Sequence, residues 1–112
     1  MHENDKPVLV YTTFPETTLA ESAGADLVRQ ELCACVNIIP GMTSVYRWQG
    51  KIETAAETVM IIKTRAGLVD EVCAAVLALH PYEVPALVCV PVTGGLPAYL
   101  DWIAANTRSP AK

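Results

Sequence analysis

The chain alternates short apolar runs with amphipathic stretches, and the period of each run names its element. Val8-Leu9-Val10-Tyr11-Thr12-Thr13 is rich in β-formers without a breaker and predicts a first strand, ended by Phe14-Pro15. Thr18 followed by Glu21 has capping-box spacing, and Leu19, Ala20, Ala23, Leu27, Val28 and Leu32 recur at helical intervals behind it. Gly24 weakens this helix but lets it lie close to a sheet. A second strand is predicted from near Cys33 to Gln49, and Pro40-Gly41 inside it suits an edge or a bulge. Gly50-Lys51 turns the chain, and the run from Glu57 to Thr64 predicts a third strand. After Gly67, the apolar stripe Leu68, Val69, Val72, Cys73, Val76, Leu79 predicts a second helix, with Asp70 and Glu71 in the first turn where the dipole favours them. The segment His80 to Pro85 ends that helix. Ala86 to Val92, apolar on both faces, predicts a central or covered fourth strand, and Leu96, Tyr99, Leu100, Trp102 and Ile103 mark a last helix.

The order β-α-β-β-α-β plus a C-terminal helix predicts an α+β fold of the ferredoxin-like split βαβ kind, an antiparallel sheet with helices on one face. One domain is expected over residues 1–112, with the polar residues 1–6 disordered. The second and third strands are longer than so small a sheet needs, so they predict a long projecting hairpin. On its first arm Ser44, Tyr46 and Trp48 point to one face and Val45, Arg47 and Gln49 to the other. Aromatics on such an arm are hard to bury within one subunit, and they predict that the hairpin meets another chain or a ligand.

Composition sharpens this. Apolar residues make up 52% of the chain and charged ones only 18%, against about 25% charged in an ordinary soluble domain. A small domain with that excess buries it most simply by self-association. No run approaches the roughly 20 apolar residues of a membrane-spanning helix. The net charge is −4 and the basic residues are scattered, which excludes the concentrated positive footprint of a nucleic-acid binder. The first residues lack a basic region followed by an apolar one, so a cytoplasmic location is expected. The four cysteines sit inside periodic apolar segments and are expected to be reduced.

The candidate chemistry is sparse. Cys33 and Cys35 are two apart, which in an extended strand turns both thiols to one side; the pair reads as core filler before it reads as a soft-metal site. Cys73 and Cys89 read as core packing. His80, on a loop beside Tyr82 and Glu83, is either a metal ligand or a donor at a helix end. Glu57 and Lys63 share one face of the third strand, roughly 20 Å apart at strand rise. With Tyr46 and Trp48 they would rim an inter-subunit cleft suited to a small ligand. No nucleophile–base arrangement is readable, so no enzyme is expected.

The segments Ala-Cys-Val-Asn at 34–37, Pro40-Gly41, Ser44 to Lys51, Glu57, Lys63, His80-Pro81-Tyr82-Glu83-Val84-Pro85, Pro91, and Tyr99 with Trp102 together resemble the CutA family of divalent-cation-tolerance proteins. The resemblance runs from about Val8 to Trp102. It implies a ferredoxin-like subunit in a tight homotrimer like that of the PII signalling proteins, and an association with metal, chiefly copper, binding and tolerance. Thr12 and Leu79 stand where some family members carry a cysteine and a second histidine considered as copper ligands, which leaves His80 from that set, with Cys35 beside it as a metal-ligand candidate. The alternative is a PII-like signalling or scaffold trimer. Such a trimer binds a small anionic metabolite or a partner protein around Tyr46, Trp48, Glu57, Lys63 and Tyr82.

Overall fold

Strand β1 (Pro7–Phe14) runs through the interior of the sheet in a computed structural model that describes residues 3–110. It pairs antiparallel with β3 (Lys51–Arg65) on one side and with β4 (Leu87–Pro91) on the other. Strand β2 (Cys35–Trp48) pairs antiparallel with β3, giving the order β2-β3-β1-β4. Helices α1 (Thr17–Arg29) and α2 (Val69–Leu79) follow β1 and β3, and α3 (Pro97–Ala105) follows β4. This is the ferredoxin-like arrangement that the hydrophobic periods predict.

The core lies between one face of the sheet and helices α1 and α2; α3 departs from the expectation of helices on one face, because it lies against the opposite face, where Tyr99 meets Lys63. Val10, Phe14, Met60 and Ile62 from the strands meet Leu27 of α1 and Val72 and Val76 of α2, all buried. Helix α1 lies so close to the sheet that a Cβ at Gly24 would fall 2.6 Å from Val36 Cγ2 and 3.3 Å from Met60 Sδ. The glycine that weakens the helix is therefore the residue that lets it dock.

Several boundaries differ from the pattern, each for a local reason. No capping box forms: α1 begins at Thr17 after Glu16 without a side-chain cap, and the Thr17 hydroxyl pairs instead with that of Thr58 at 2.8 Å. The helix ends at Arg29 because Glu31 turns left-handed, with φ 58°. The Leu32 and Glu31 amides then bond back to the carbonyls of Leu27 and Val28, a Schellman closure that places Leu32 past the helix yet still in the core. Strand β2 accordingly starts at Cys35, not Cys33. Strand β3 starts at Lys51, six residues before its apolar run, because Gln49 and Gly50, both at positive φ, make a tight two-residue turn from Trp48 to Lys51. A register shift between Ile39 and Met42 marks the expected bulge. The hairpin projects, and the molecule measures 46 × 25 × 23 Å.

Strand β4 was expected to be central or covered and is instead an edge, with Val88, Cys89 and Val90 exposed. The segment expected to be disordered forms a 3-10 turn over Glu3–Asp5. Asp5 meets the buried Arg65 at 2.6 Å, and Arg65 also donates to the backbone carbonyls of Thr107 and Arg108. Met1 and His2 lie outside the described residues. Among those described, no helix is long and apolar enough to cross a membrane.

Candidate functional site: an acidic aromatic groove on the open sheet face

Alternation on β1, β2 and β3 sends one set of side chains away from α1 and α2. On β3 these are Lys63, Ile61, Val59 and Glu57; on β1, Leu9, Tyr11 and Thr13; on β2, Cys35, Asn37 and Ile39. The bulge keeps the hairpin in phase, so Met42, Ser44, Tyr46 and Trp48 continue on that face. A hydrogen bond from the Tyr11 hydroxyl to Met42 Sδ at 3.6 Å crosses it.

At the hairpin end this face forms one wall of a groove of about 950 Å³, and the loop between α2 and β4 forms the other. Tyr46, Trp48 and Glu57 line it from the hairpin, Thr13 from β1, and Tyr82 and Glu83 from the loop. Four of the five expected ligand residues, Tyr46, Trp48, Glu57 and Tyr82, thus meet in one place. The Thr13 hydroxyl donates to Glu57 Oε2 at 3.1 Å and orients the carboxylate. Burial, then the Glu57 charge and Tyr46, push the Tyr82 hydroxyl above its ordinary pKa. Among the ten lining residues there is no Lys, Arg or His. Thr13 and Glu83 complete the site and were not anticipated as members; their signals were the period-2 face of β1 and adjacency to Tyr82.

Lys63, the fifth residue, is elsewhere. Its ammonium donates to the Tyr99 hydroxyl at 2.9 Å and lies 5.2 Å from the centre of that ring. This hydrogen bond raises the Lys63 pKa. Tyr99 sits on α3 and stacks on Trp102 with ring centres 5.6 Å apart. Leu9, Leu100 and Ile103 line a mostly apolar hollow of about 370 Å³ beside them. The anionic metabolite expected in the cleft therefore loses the only cation assigned to hold it.

The two metal-ligand candidates do not come together. His80 is 9% exposed and stacks on Phe14 with ring centres 4.5 Å apart. Its Nδ1 accepts the Tyr82 amide at 3.1 Å, so Nε2 carries the proton and donates to the Thr13 carbonyl at 2.6 Å. Both nitrogens are committed to backbone, which pins the loop that walls the groove. Cys35 lies on the open face, paired across the sheet with Lys63, its Sγ 3.9 Å from the Tyr99 hydroxyl. Cys33 precedes the strand, so its thiol does not share a side with Cys35; it is buried in the core, and burial pushes it up to about 12. Cys73 packs against the core and contacts Cys89, which is exposed and is not core filler; burial, then Cys89, push the Cys73 thiol up to about 11. All four cysteines are free. Among the described residues no group of three or more His, Cys, Asp or Glu side chains is arranged to hold a metal.

Residues 8–106 match the family model described as CutA1 divalent ion tolerance protein. The chain is 40% identical over 112 residues to the chloroplastic protein CutA of Arabidopsis thaliana, covering 97% of this chain and 62% of that protein. It superposes on the crystal structure of CutA1 from Oryza sativa with a TM-score of 0.90 at 39% identity, covering 96% of this chain and 98% of the other. The structure of the periplasmic divalent cation tolerance protein CutA from Archaeoglobus fulgidus matches with a TM-score of 0.86 at 40% identity, over 89% and 97% of the two chains. The chain thus spans about three fifths of the plant relatives' length, 62% in Arabidopsis and 57% in rice. The cytoplasmic expectation is corrected here: similar proteins are named chloroplastic and periplasmic.

Proposed function

The chain belongs to the CutA1 family of divalent ion tolerance proteins, and from that premise we propose that it contributes to tolerance of divalent metal ions as a non-enzymatic homotrimer. The family match across residues 8–106 carries the reading. The shape of the subunit supports self-association: β2 and β4 are edges, and Ile39, Val88 and Val90 leave an apolar face uncovered within one chain. Copper is the ion assigned to it from the family resemblance. Cys35 offers a partly exposed thiol, whereas His80 reaches a metal only by giving up a backbone hydrogen bond. The test is growth of a copper-sensitive host with and without the chain, paired with Cu(I) and Cu(II) titration of wild type, Cys35→Ser and His80→Ala. Restored growth with binding that falls in Cys35→Ser supports direct metal handling. Unchanged copper sensitivity overturns the reading. Sedimentation checks the assembly, which is expected at three times the 12.1 kDa chain mass.

A second reading is favoured by one observation: Tyr46, Trp48, Glu57 and Tyr82 converge on a groove large enough for a small molecule. On this reading the trimer responds to a ligand held there.

A further inference from the structure

We infer that the groove between the hairpin and the loop after α2 binds a small organic cation of the alkylammonium class, held by the faces of Tyr46, Trp48 and Tyr82 and by the Glu57 carboxylate. The inference rests on the second reading above, that this groove holds a ligand, and adds the ligand's charge and chemistry.

The sign of the charge comes first. The lining contains two carboxylates, Glu57 and Glu83, and no basic side chain. Just outside the lining the same face carries Glu53, opposite Tyr46, and Lys51, opposite Trp48, one charge of each sign, so the balance is set by the lining itself. Lys63 is six residues along β3 and bonded to Tyr99. An anion entering the groove therefore meets repulsion without a compensating partner, and a cation meets attraction focused between low-dielectric walls. The raised pKa of Tyr82 has the same origin in part, since the Glu57 charge disfavours a second anion beside it.

The kind of cation follows from the rest of the lining. A hard divalent ion seeks a clustered set of six or more oxygens, and with two carboxylates in the lining no group of three or more His, Cys, Asp or Glu side chains among the described residues is arranged to supply one. A diffuse ammonium ion asks for less charge and more surface. It is attracted by the negative faces of aromatic rings, and three of them line this groove. Ala55 and Pro81 extend the apolar lining for its alkyl groups. Glu57 is prepared for the charge, because Thr13 occupies one carboxylate oxygen and the other has no partner among the described residues.

Tetramethylammonium chloride is the probe, titrated against sodium phosphate and magnesium chloride at matched ionic strength. The readout is Trp48 emission in the intact assembly carrying Trp102→Phe, which removes the second tryptophan. The expected result is a saturable change with tetramethylammonium alone, weakened about tenfold in Glu57→Gln and about threefold in Tyr82→Leu. Glu57→Gln keeps the shape of the side chain, and thermal melting confirms that each variant is folded. A response to phosphate alone, lost in the same variants, overturns the cation while leaving the groove as a ligand site. A response to magnesium alone overturns the organic class in the same way. Silence to all three overturns both the cation and the reading on which it rests.

Discussion

The two ends of the open sheet face are built from the same strands and finished in opposite ways. At the Lys63 end α3 folds back over the sheet, Ile103 is buried, and the Lys63 ammonium is already bonded to Tyr99. At the Glu57 end the hairpin projects past the helices, Trp48 is 61% exposed, and both carboxylates face a groove. Six residues of β3 separate a closed, internally satisfied end from an open one. Closure at one end is achieved by the chain itself; the other end is completed only by something that arrives, and its charge sets what that is.

The largest expected effect tests closure directly. Ile103→Ala removes a buried side chain that holds α3 on the sheet, at a cost of about 2–4 kcal/mol. Trp48→Ala removes a larger side chain from the open end and is expected to cost no more than about 0.5 kcal/mol. Urea unfolding of the two variants measures both. A loss at Trp48 as large as at Ile103 would break the comparison, since it would place Trp48 against a second copy of the chain.

His80→Ala comes next. It removes the donor to the Thr13 carbonyl, the acceptor of the Tyr82 amide and the stack on Phe14. The expected cost is about 2–3 kcal/mol, seen as a lowered Tm that is the same with and without a chelator. Because the loop it pins is one wall of the groove, the variant should also lose the Trp48 response to tetramethylammonium. A Tm difference that disappears on chelation would make His80 a metal ligand and remove the wall it is argued to hold.

The sequence carried the open end more fully than the closed one, for a reason visible in particular residues. Tyr46 and Trp48 share a face through the plain alternation of a strand, and Glu57 follows once the hairpin is paired. Tyr82 was marked by its place on a loop between helix and strand. Lys63 was placed on the same face as Glu57, as the register has it, yet its true neighbour is 36 residues away on a helix that no strand period reports. His80 was read as ligand or helix-end donor; its partner is the carbonyl of Thr13, 67 residues earlier. Local periods fix faces, whereas contacts between distant elements depend on how α3 and the loop after α2 pack. The Schellman closure at Glu31 belongs to the same group, because a left-handed glutamate has no composition signal. After that turn Cys33 is core and Cys35 is half-buried on the open face.

The smallest effect isolates the closed end's own chemistry. Lys63→Met keeps the length of the stem and deletes the ammonium that donates to Tyr99, for a net loss of about 0.5–1.5 kcal/mol. Its pH dependence has a definite sign. The folded pKa of Lys63 is raised above the ordinary 10.5, chiefly by the Tyr99 hydrogen bond, so the stabilisation is complete below that value and is lost as pH climbs through the folded pKa. Cys33, raised from 9.0 to about 12 by burial, also loses stability with rising pH, in the window from 9 to 12, but it does so equally in both chains. The gap between wild type and Lys63→Met should therefore stay constant up to about pH 10 and shrink above it. Urea midpoints from pH 7 to 11.5 read that gap. A gap that is flat to the end of the range would mean that Lys63 contributes packing and no charge. The groove response to tetramethylammonium should be the same in both chains, because the two ends of the face share strands and not a site.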